Sequence, residues 1–279
     1  MQRKIEKLIC GRETIDGAGV KLTRVLGPQT IKEFDPILML DCFDSTNFND
    51  YKASFPMHPH RGIETISYVY EGSMTHKDSL GNTDTIQNGQ VQWMSAGSGI
   101  LHEEILHPST RMLGVQLWLN LPQKDKMSDP FYKSIKEDEI KELELENGKM
   151  RILAGEYQGE NGYKSKFLPF DYYDIHLNPN ATQMIHTKKD YFVMLFLLQG
   201  DAFINDQLVK EKTAIKLSLG EYFELKSTDK KAQILFMSST PLNEPCEWGG
   251  PIVMNTKEEL NLAFEELRNG TFLKTNTNY

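Results

Sequence analysis

The stretch FPMHPHRGIETISYVYEG, residues 55–72, places two histidines one residue apart in front of a run rich in β-branched and aromatic residues. Short runs of this kind recur from about residue 20 to about residue 245, separated by Gly, Asn, Asp and Pro. Such spacing is typical of antiparallel β architecture, either a sandwich or a barrel. The sequence therefore predicts an all-β fold.

Composition excludes two broad classes of function. The chain has 279 residues, of which 39% are hydrophobic and 25% charged, and its formal net charge is -8. These values are typical of a soluble globular protein. An acidic chain has no basic patch for a nucleic-acid backbone, so any role near DNA would act through a protein partner. The longest apolar run, residues 191–198, is too short to span a bilayer.

The cysteines and the N-terminus bear on the cellular compartment. The three cysteines are widely spaced and form no CxxC pair, which favours free thiols over a disulfide framework. The N-terminal MQRKIEKLICGRET lacks the apolar segment of a secretory signal. We therefore expect a cytoplasmic protein.

A charged segment is the expected domain boundary. Residues 128–149, SDPFYKSIKEDEIKELELENGK, contain no sustained apolar run. They are interpreted as a connector with a short helical turn, or alternatively as an exposed charged hairpin within one domain. The first interpretation gives an N-terminal domain over residues 1–140 and a C-terminal domain over residues 141–279.

A helix is predicted at the end of the chain, over residues 256–269. Thr256 and Glu259 are spaced as a capping box, and Gly270 supplies the stop. The apolar positions recur at i, i+3, i+4 and i+7, and they are Leu260, Ala263, Phe264 and Leu267. We expect this stripe to pack on a β-barrel and to be structural.

A faint internal repeat relates the two halves of the chain. His58 and His186 each stand fourteen residues before a glycine that ends a strand-like run. In the second copy Lys188 replaces the second histidine, and Phe192 replaces the glutamate that follows it. We therefore predict two similar β domains, of which only the first can bind a metal.

His58 and His60 are either metal ligands or polar residues of a turn. Alternate side chains of a strand share a face, so an extended segment would place His58, His60 and Glu64 together. The proline between the two histidines restricts His58 to extended backbone, which helps to present both rings on one side.

The other half of this candidate site comes from SAGSGILHEEILH, residues 95–107. Its two glycines suit a tight turn, after which the chain resumes as a strand. His102 and Glu104 would then share one face, and Glu103 would point to the other. Three imidazoles and one carboxylate suit a divalent first-row metal that keeps open positions for water, oxygen or substrate.

HPHRGIETISYVYEGSMTHKDSLG followed by GQVQWMSAGSGILHEE resembles the pirin family of the cupin superfamily, and GPIVMNTKEELNLAFEELRNGTF resembles the end of pirin sequences. The resemblance covers nearly the whole chain. It implies a bicupin fold of two antiparallel jelly-roll β-barrels, with one metal ion, usually Fe(II), in the first. The metal ligands that it implies are His58, His60, His102 and Glu104, in agreement with the strand parity.

Glu64 is a departure from this ligand set. In many cupins the glutamate of the first motif binds the metal, whereas pirins place the second-motif histidine two residues later and use the equivalent of Glu104 instead. We therefore interpret Glu64 as a residue that orients the ligands, with direct binding as the alternative.

Other side chains near these motifs have weaker interpretations. Arg61 would either orient a carboxylate or bound oxyanion, or lie at the surface. Gln116 would either line the pocket or be a hydrogen-bonded interior amide. Trp93 and Trp118 are predicted to be core residues. Surface positions are predicted for three further histidines, His76, His107 and His176.

The resemblance implies a dioxygenase of the quercetin 2,3-dioxygenase type, acting with O2 on a flavonol or a similar enolisable or catecholic substrate. Glu104 or Glu64 would remove the substrate's hydroxyl proton. One alternative is a non-enzymatic redox or metal sensor that regulates transcription or metabolism through protein partners. Another is a metal-dependent sugar isomerase or epimerase, as found elsewhere among cupins.

Overall fold

The computed structural model describes residues 1–275, and most of them lie in short antiparallel strands. The strands are β1 (Ile5–Cys10), β2 (Arg12–Asp16), β3 (Val20–Leu26), β4 (Ile37–Ser45), β5 (Phe55–His60), β6 (Ile63–Glu71), β7 (Ser73–Asp78), β8 (Thr83–Gln87), β9 (Gln90–Ser95), β10 (Ile100–Leu106), β11 (Met112–Asn120), β12 (Phe131–Ile135), β13 (Lys141–Leu145), β14 (Gly148–Ala154), β15 (Glu156–Tyr157), β16 (Glu160–Asn161), β17 (Phe170–Leu177), β18 (Thr182–His186), β19 (Phe192–Gln199), β20 (Ala202–Ile204), β21 (Gln207–Val209), β22 (Thr213–Leu217), β23 (Tyr222–Ser227), β24 (Ala232–Ser239), β25 (Glu247–Gly249) and β26 (Ile252–Met254). The α-helices are α1 (Ile31–Phe34) and α2 (Lys257–Asn269), and single 3-10 turns occupy Pro28–Thr30, Phe48–Asp50, Gln123–Asp125 and Glu137–Glu139.

Two units divide the chain. The first unit consists of Glu13–Lys136 and the described part of Leu242–Tyr279, and the second consists of Met1–Arg12 and Glu137–Pro241. Each unit contains one seven-stranded and one four-stranded sheet. These sheets are open, and no closed barrel is found among residues 1–275, so each expected barrel is a pair of sheets.

Strand order is the same in both units. The first unit has the sheets β12-β9-β6-β11-β4-β3-β2 and β5-β10-β7-β8, and the second has β1-β22-β19-β24-β17-β14-β13 and β18-β23-β20-β21. Every strand of one pair of sheets thus has a counterpart at the same place in the other pair. The predicted internal repeat is therefore present as a repeat of topology.

The ends of the chain differ from the expected domains 1–140 and 141–279. Strand β1 pairs with β22 of the second unit, from Ile5 opposite Leu217 to Cys10 opposite Thr213. The C-terminal segment that carries α2 belongs to the first unit instead of the second. Hydrophobic periodicity shows that a segment is a strand or an amphipathic helix, but it does not show which sheet the segment joins.

The charged segment 128–149 contains strands. It includes β12 and β13, and β13 forms a hairpin with β14 in which Lys141 lies opposite Ile152. The change of unit falls between Lys136 and Glu137. The segment thus contains both a charged hairpin and the change of unit, which falls four residues before the expected boundary after residue 140.

The predicted ends of α2 are confirmed. Glu259 N donates to Thr256 Oγ1 at 3.2 Å, and the Glu259 carboxylate accepts from Thr256 N at 3.0 Å. Gly270 ends the helix in the left-handed region, at φ 72°. The predicted stripe packs with Ile252, Met254 and Phe272. Within residues 1–275, no helix has the length and apolar character that crossing a membrane would need.

Candidate metal centre

Three histidines of the first unit meet at the ends of two paired strands. His58 and His60 lie on β5, and His102 lies on β10 directly opposite His58. One potential ligand atom from each of the three lies within 4.8 Å of the others. His60 and His102 are buried, and His58 is half-buried. The parity of residues on β5 and β10 thus brings these side chains together as the sequence predicted.

Main-chain carbonyls fix the rings of His58 and His60. Nδ1 of His58 lies 2.7 Å from the Pro56 oxygen, and Nδ1 of His60 lies 2.9 Å from the Pro251 oxygen. A carbonyl oxygen can only accept, so each Nδ1 donates and the neutral ring keeps its lone pair on Nε2. The two Nε2 atoms face each other at 3.0 Å. A cation between them would satisfy both lone pairs.

His102 completes this arrangement. Its Nε2 is buried without a hydrogen-bond partner among the described residues. The pKa of His60 is lowered to about 3, chiefly by burial and to a smaller extent by the neighbouring imidazole of His58. The same causes hold the pKa of His102 well below its ordinary value. Two buried imidazoles held neutral, with a third beside them, fit a divalent first-row metal ion.

His76 packs behind His102, so the prediction that it lies at the surface is wrong. Its fully buried ring stacks on Tyr132 at 4.1 Å between centroids. Its Nδ1 lies 3.4 Å from Nδ1 of His102, and its Nε2 lies 2.8 Å from Asp78 Oδ2. The missed signal is strand parity, because His76 has the parity of the buried Met74 on β7.

Glu104 lies inside the first unit, but outside the cluster of three histidines. Its Oε1 accepts from Gln92 Nε2 and from Ser67 Oγ, and its Oε2 accepts from Gln116 Nε2 at 2.6 Å. Donors from β6, β9 and β11 therefore hold both carboxylate oxygens. Glu103 points the other way and pairs with Lys77 at 3.1 Å, as parity predicted.

Glu64 is not brought to the histidines in the way its spacing suggested. It lies on β6, beyond the turn at Arg61 and Gly62, where it faces Ser95 of β9. Gly62 has φ +77°, so the chain is not extended from His58 through to Glu64. Parity cannot be counted across such a turn. Glu64 is nevertheless buried, with 1% of its surface exposed.

Arg61 is a buried residue that binds the C-terminal segment. Its Nε donates to the Ser98 oxygen, Nη1 to Glu266 Oε2 and Nη2 to the Phe272 oxygen, each at 2.7 Å. The alternative of a surface position is therefore wrong. The side chain joins the turn after His60 to α2 and the residues that follow this helix.

Lys126 makes a second connection of this kind, one that the sequence analysis missed. It is 1% exposed, and its Nζ donates to the Gly62 oxygen at 2.8 Å, to Asn120 Oδ1 at 2.6 Å and to the Val253 oxygen at 3.1 Å. A Cβ at Gly62 would meet the Val253 oxygen at 1.9 Å, so only glycine allows this approach. The segment that presents the Pro251 carbonyl to His60 is thereby held in place.

A cavity of about 640 Å³ opens onto His58 and His60. Trp118 packs edge-on to His60, with 5.0 Å between ring centroids, and the ring centroid of Trp248 lies 5.5 Å from that of Trp118. Gln116 also lines the cavity, as one of its two interpretations predicted. The prediction of a core position is correct for the fully buried Trp93 but wrong for Trp118, which forms a cavity wall.

The second unit has a different arrangement at the corresponding strands. His186, at the end of β18, is exposed. Lys188 pairs with Asp171 at 2.9 Å, and Phe192 is buried at the start of β19. In this unit His176 is part-buried, and its Nε2 lies 2.8 Å from Asp174 Oδ2. In the first unit Nε2 of His107 lies 2.6 Å from Thr75 Oγ1.

Comparisons with known proteins agree for both units. Residues 19–119 match the Pirin family model, and residues 172–273 match the model of the Pirin C-terminal cupin domain. A pirin-like protein of Caulobacter vibrioides is 37% identical over 97% of this chain and 99% of the relative. Human pirin is 33% identical over 96% of this chain and 93% of the relative.

A solved structure extends the agreement to the fold. The crystal structure of a quercetin 2,3-dioxygenase from Acinetobacter baumannii superposes with a TM-score of 0.90 at 31% sequence identity, over 98% of this chain and 99% of that chain. The two pairs of sheets are accordingly a bicupin fold. The chain belongs to the pirin family, with a cupin domain in each half.

Proposed function

We propose that the first unit binds one divalent metal ion, Fe(II), and that the protein is a dioxygenase of the quercetin 2,3-dioxygenase type. The observation that carries this proposal is the convergence of three imidazoles at a cavity with aromatic walls. The similarity to the quercetin 2,3-dioxygenase of Acinetobacter baumannii, over both units, supports the same reaction class. The substrate would be a flavonol or a similar enolisable or catecholic molecule.

The proposed ligands are His58, His60 and His102, with Glu104 as the fourth. Iron, when bound, supplies Lewis acidity toward the substrate oxygen and electrons for the reaction with O2. Backbone carbonyls orient His58 and His60 before any ion arrives, which reduces the ordering that binding requires. To reach the ion, the Glu104 carboxylate would exchange a hydrogen bond from Gln116 or Gln92 for the metal.

Glu104 is also the first candidate for the base that removes the substrate's hydroxyl proton. Its two oxygens accept hydrogen bonds from Gln92 and Gln116, which hold the carboxylate in a fixed orientation. Gln116 borders the cavity and donates to Glu104 Oε2, so this hydrogen bond links the carboxylate to the cavity lining. Glu64, buried on β6, is the second candidate.

The cavity walls would hold the substrate rings. Trp118 and Trp248 offer two indole faces tilted at 38° to each other, and Met39 adds a flexible apolar contact. These side chains would orient a flat aromatic molecule and keep water from its reacting edge.

The proposal is tested on protein purified without oxygen and loaded with Fe(II). We expect one iron per chain and O2 uptake that depends on quercetin, and both should be lost in His60→Ala. The matched control is Glu103→Ala, because Glu103 points away from the site and pairs with Lys77. Bound iron without O2 uptake would contradict the dioxygenase and favour the sensor. Turnover of a sugar without O2 would favour the isomerase.

A further inference from the structure

The cavity beside the histidines has a second polar end. Arg24 and Asp16 line it together with His58 and His60. Arg24 Nε and Nη2 donate to the two oxygens of Asp41, at 2.9 and 2.7 Å, and Nη2 also donates to Asp16 Oδ2. Among the described residues no hydrogen bond is made by Arg24 Nη1, so this nitrogen can donate to a ligand.

Strand register separates the backbone of Arg24 from that of Gln116, another residue that lines the cavity. Arg24 of β3 lies opposite Asp41 of β4, and Asp41 lies opposite Gln116 of β11, whose side chain reaches Glu104. Arg24 and Gln116 are therefore separated by two strand spacings, ~10 Å. A molecule of two or three fused or linked aromatic rings spans such a distance.

Small residues line the cavity near this end. Gly17, Ala18 and Gly27 form the wall beside Asp16 and Arg24. Gly17 has φ +57°, and a Cβ there would meet the Phe55 ring at 2.6 Å, so a larger residue would be strained. The aromatic walls of the cavity thus continue into an end lined by small and polar residues.

The charges at this end select the kind of group that binds. Two carboxylates, Asp16 and Asp41, surround one guanidinium, whose pKa is raised chiefly by its hydrogen bond to Asp41. A carboxylate ligand could only accept hydrogen bonds and would be repelled by two like charges. A neutral hydroxyl can donate to Asp16 and accept from Arg24 Nη1 at the same time.

We propose that Asp16 and Arg24 form a subsite that recognises a phenolic hydroxyl on the part of an aromatic substrate farthest from the three histidines. The inference rests on the proposed function, because the site at the histidines anchors the other end of the substrate. It adds to that function the requirement for a distal hydroxyl and the rejection of a distal carboxylate.

The test measures binding and not turnover. Quenching of Trp118 and Trp248 fluorescence is titrated under argon, on protein loaded with Ni(II), with three probes. Quercetin carries distal hydroxyls, 3-hydroxyflavone carries the chelating oxygens alone, and 4′-carboxy-3-hydroxyflavone carries a distal carboxylate. We expect quercetin to bind about tenfold more tightly than either of the other probes, as for the net gain of one or two hydrogen bonds.

Variants assign this preference to residues. Asp16→Ala should remove the tenfold preference for quercetin and leave the affinity for 3-hydroxyflavone unchanged. Asp16 is half-exposed, so this variant should fold. The second test variant is Arg24→Met. The matched control is Asp44→Asn, which removes the charge of a carboxylate paired with Arg111. An unchanged preference in Asp16→Ala, or no binding of any probe to the wild type, would overturn the subsite. Lack of O2 uptake with normal discrimination would contradict the proposed function alone.

Discussion

The two units share one topology and differ in what fills their interior. In the first unit a row of polar residues crosses the seven-stranded sheet from β4 through β11 and β6 to β9. These residues are Asp41, Gln116, Ser67 and Gln92. Ser67 stands five residues before Gly72, and Leu195 stands five before Gly200 in the second unit. The row through Leu195 is apolar, and its members are Tyr173, Phe236, Leu195 and Ile215.

This difference shows that the fold fixes where side chains converge, while residue type decides what they can do there. Polar donors in the first unit stabilise the buried Glu104 carboxylate, which would be costly to bury without hydrogen bonds. The second unit contains one large apolar core and an ion pair where the first has imidazoles.

The largest expected effect is on metal binding. His102→Ala should weaken Fe(II) binding more than ~100-fold, because it removes one of the three proposed ligand nitrogens. This loss exceeds the one usual for a residue that only hydrogen-bonds to a metal ligand. His186→Ala, at the repeat position of the second unit, should leave metal binding unchanged because that ring is exposed. Metal content and circular dichroism of both variants test this. Equal losses in the two variants would show that the units do not differ as described.

A smaller effect is expected at the connection between the histidine turn and the C-terminal segment. Lys126→Met leaves three buried oxygens without their donor, and the free energy of unfolding should fall by about 1–3 kcal/mol. Because the Pro251 carbonyl would lose support, Fe(II) affinity should also fall. Urea unfolding and metal titration measure the two effects. Lys210→Met, at an exposed pair with Asp201, is the control and should change neither.

The polar row can be tested through Glu104. Gln92→Leu removes a donor to the buried carboxylate and should lower the free energy of unfolding by about 1–3 kcal/mol in urea. The cost should fall when the same change is made in Glu104→Leu, because no carboxylate then needs the donor. An equal cost in both backgrounds would mean that Gln92 acts through packing and not through Glu104.

The smallest effect on metal binding is expected for a substitution that adds a second histidine to the second unit. Lys188→His restores the second histidine of the repeat in the second unit. We expect no metal binding at that place, because among the described residues no group of three ligating side chains is found there and the neighbouring row is apolar. Iron above one equivalent per chain in this variant would show that the histidine pair alone is sufficient.

Sequence reasoning predicted the parts of the site that depend on local periodicity. The shared face of His102 and Glu104, the outward Glu103 and the capped C-terminal helix all follow from residue spacing within one element. It failed where the chain turns between elements, so Glu64 was placed with the histidines by counting across Gly62. It also failed where partners come from distant segments, because nothing near Lys126 in the sequence indicates a contact with Val253.

Burial was misjudged for polar residues for the same reason. His76 and Arg61 have polar neighbours in the sequence, yet both are buried in the first unit. There His76 is hydrogen-bonded to Asp78, and Arg61 donates to Glu266. Trp118 was expected in the core because large aromatic residues usually are buried. Its position as a cavity wall depends on how β4 and β11 pair, which spacing does not reveal.

The comparison of the two units is tested most directly by a crystal structure of the Fe(II)-loaded protein with anomalous difference maps at the iron edge. We expect one iron peak per chain, within bonding distance of Nε2 of His58, His60 and His102, and none in the second unit. A peak beside His186 and Lys188, or no peak at the three histidines in protein that contains iron, would contradict it.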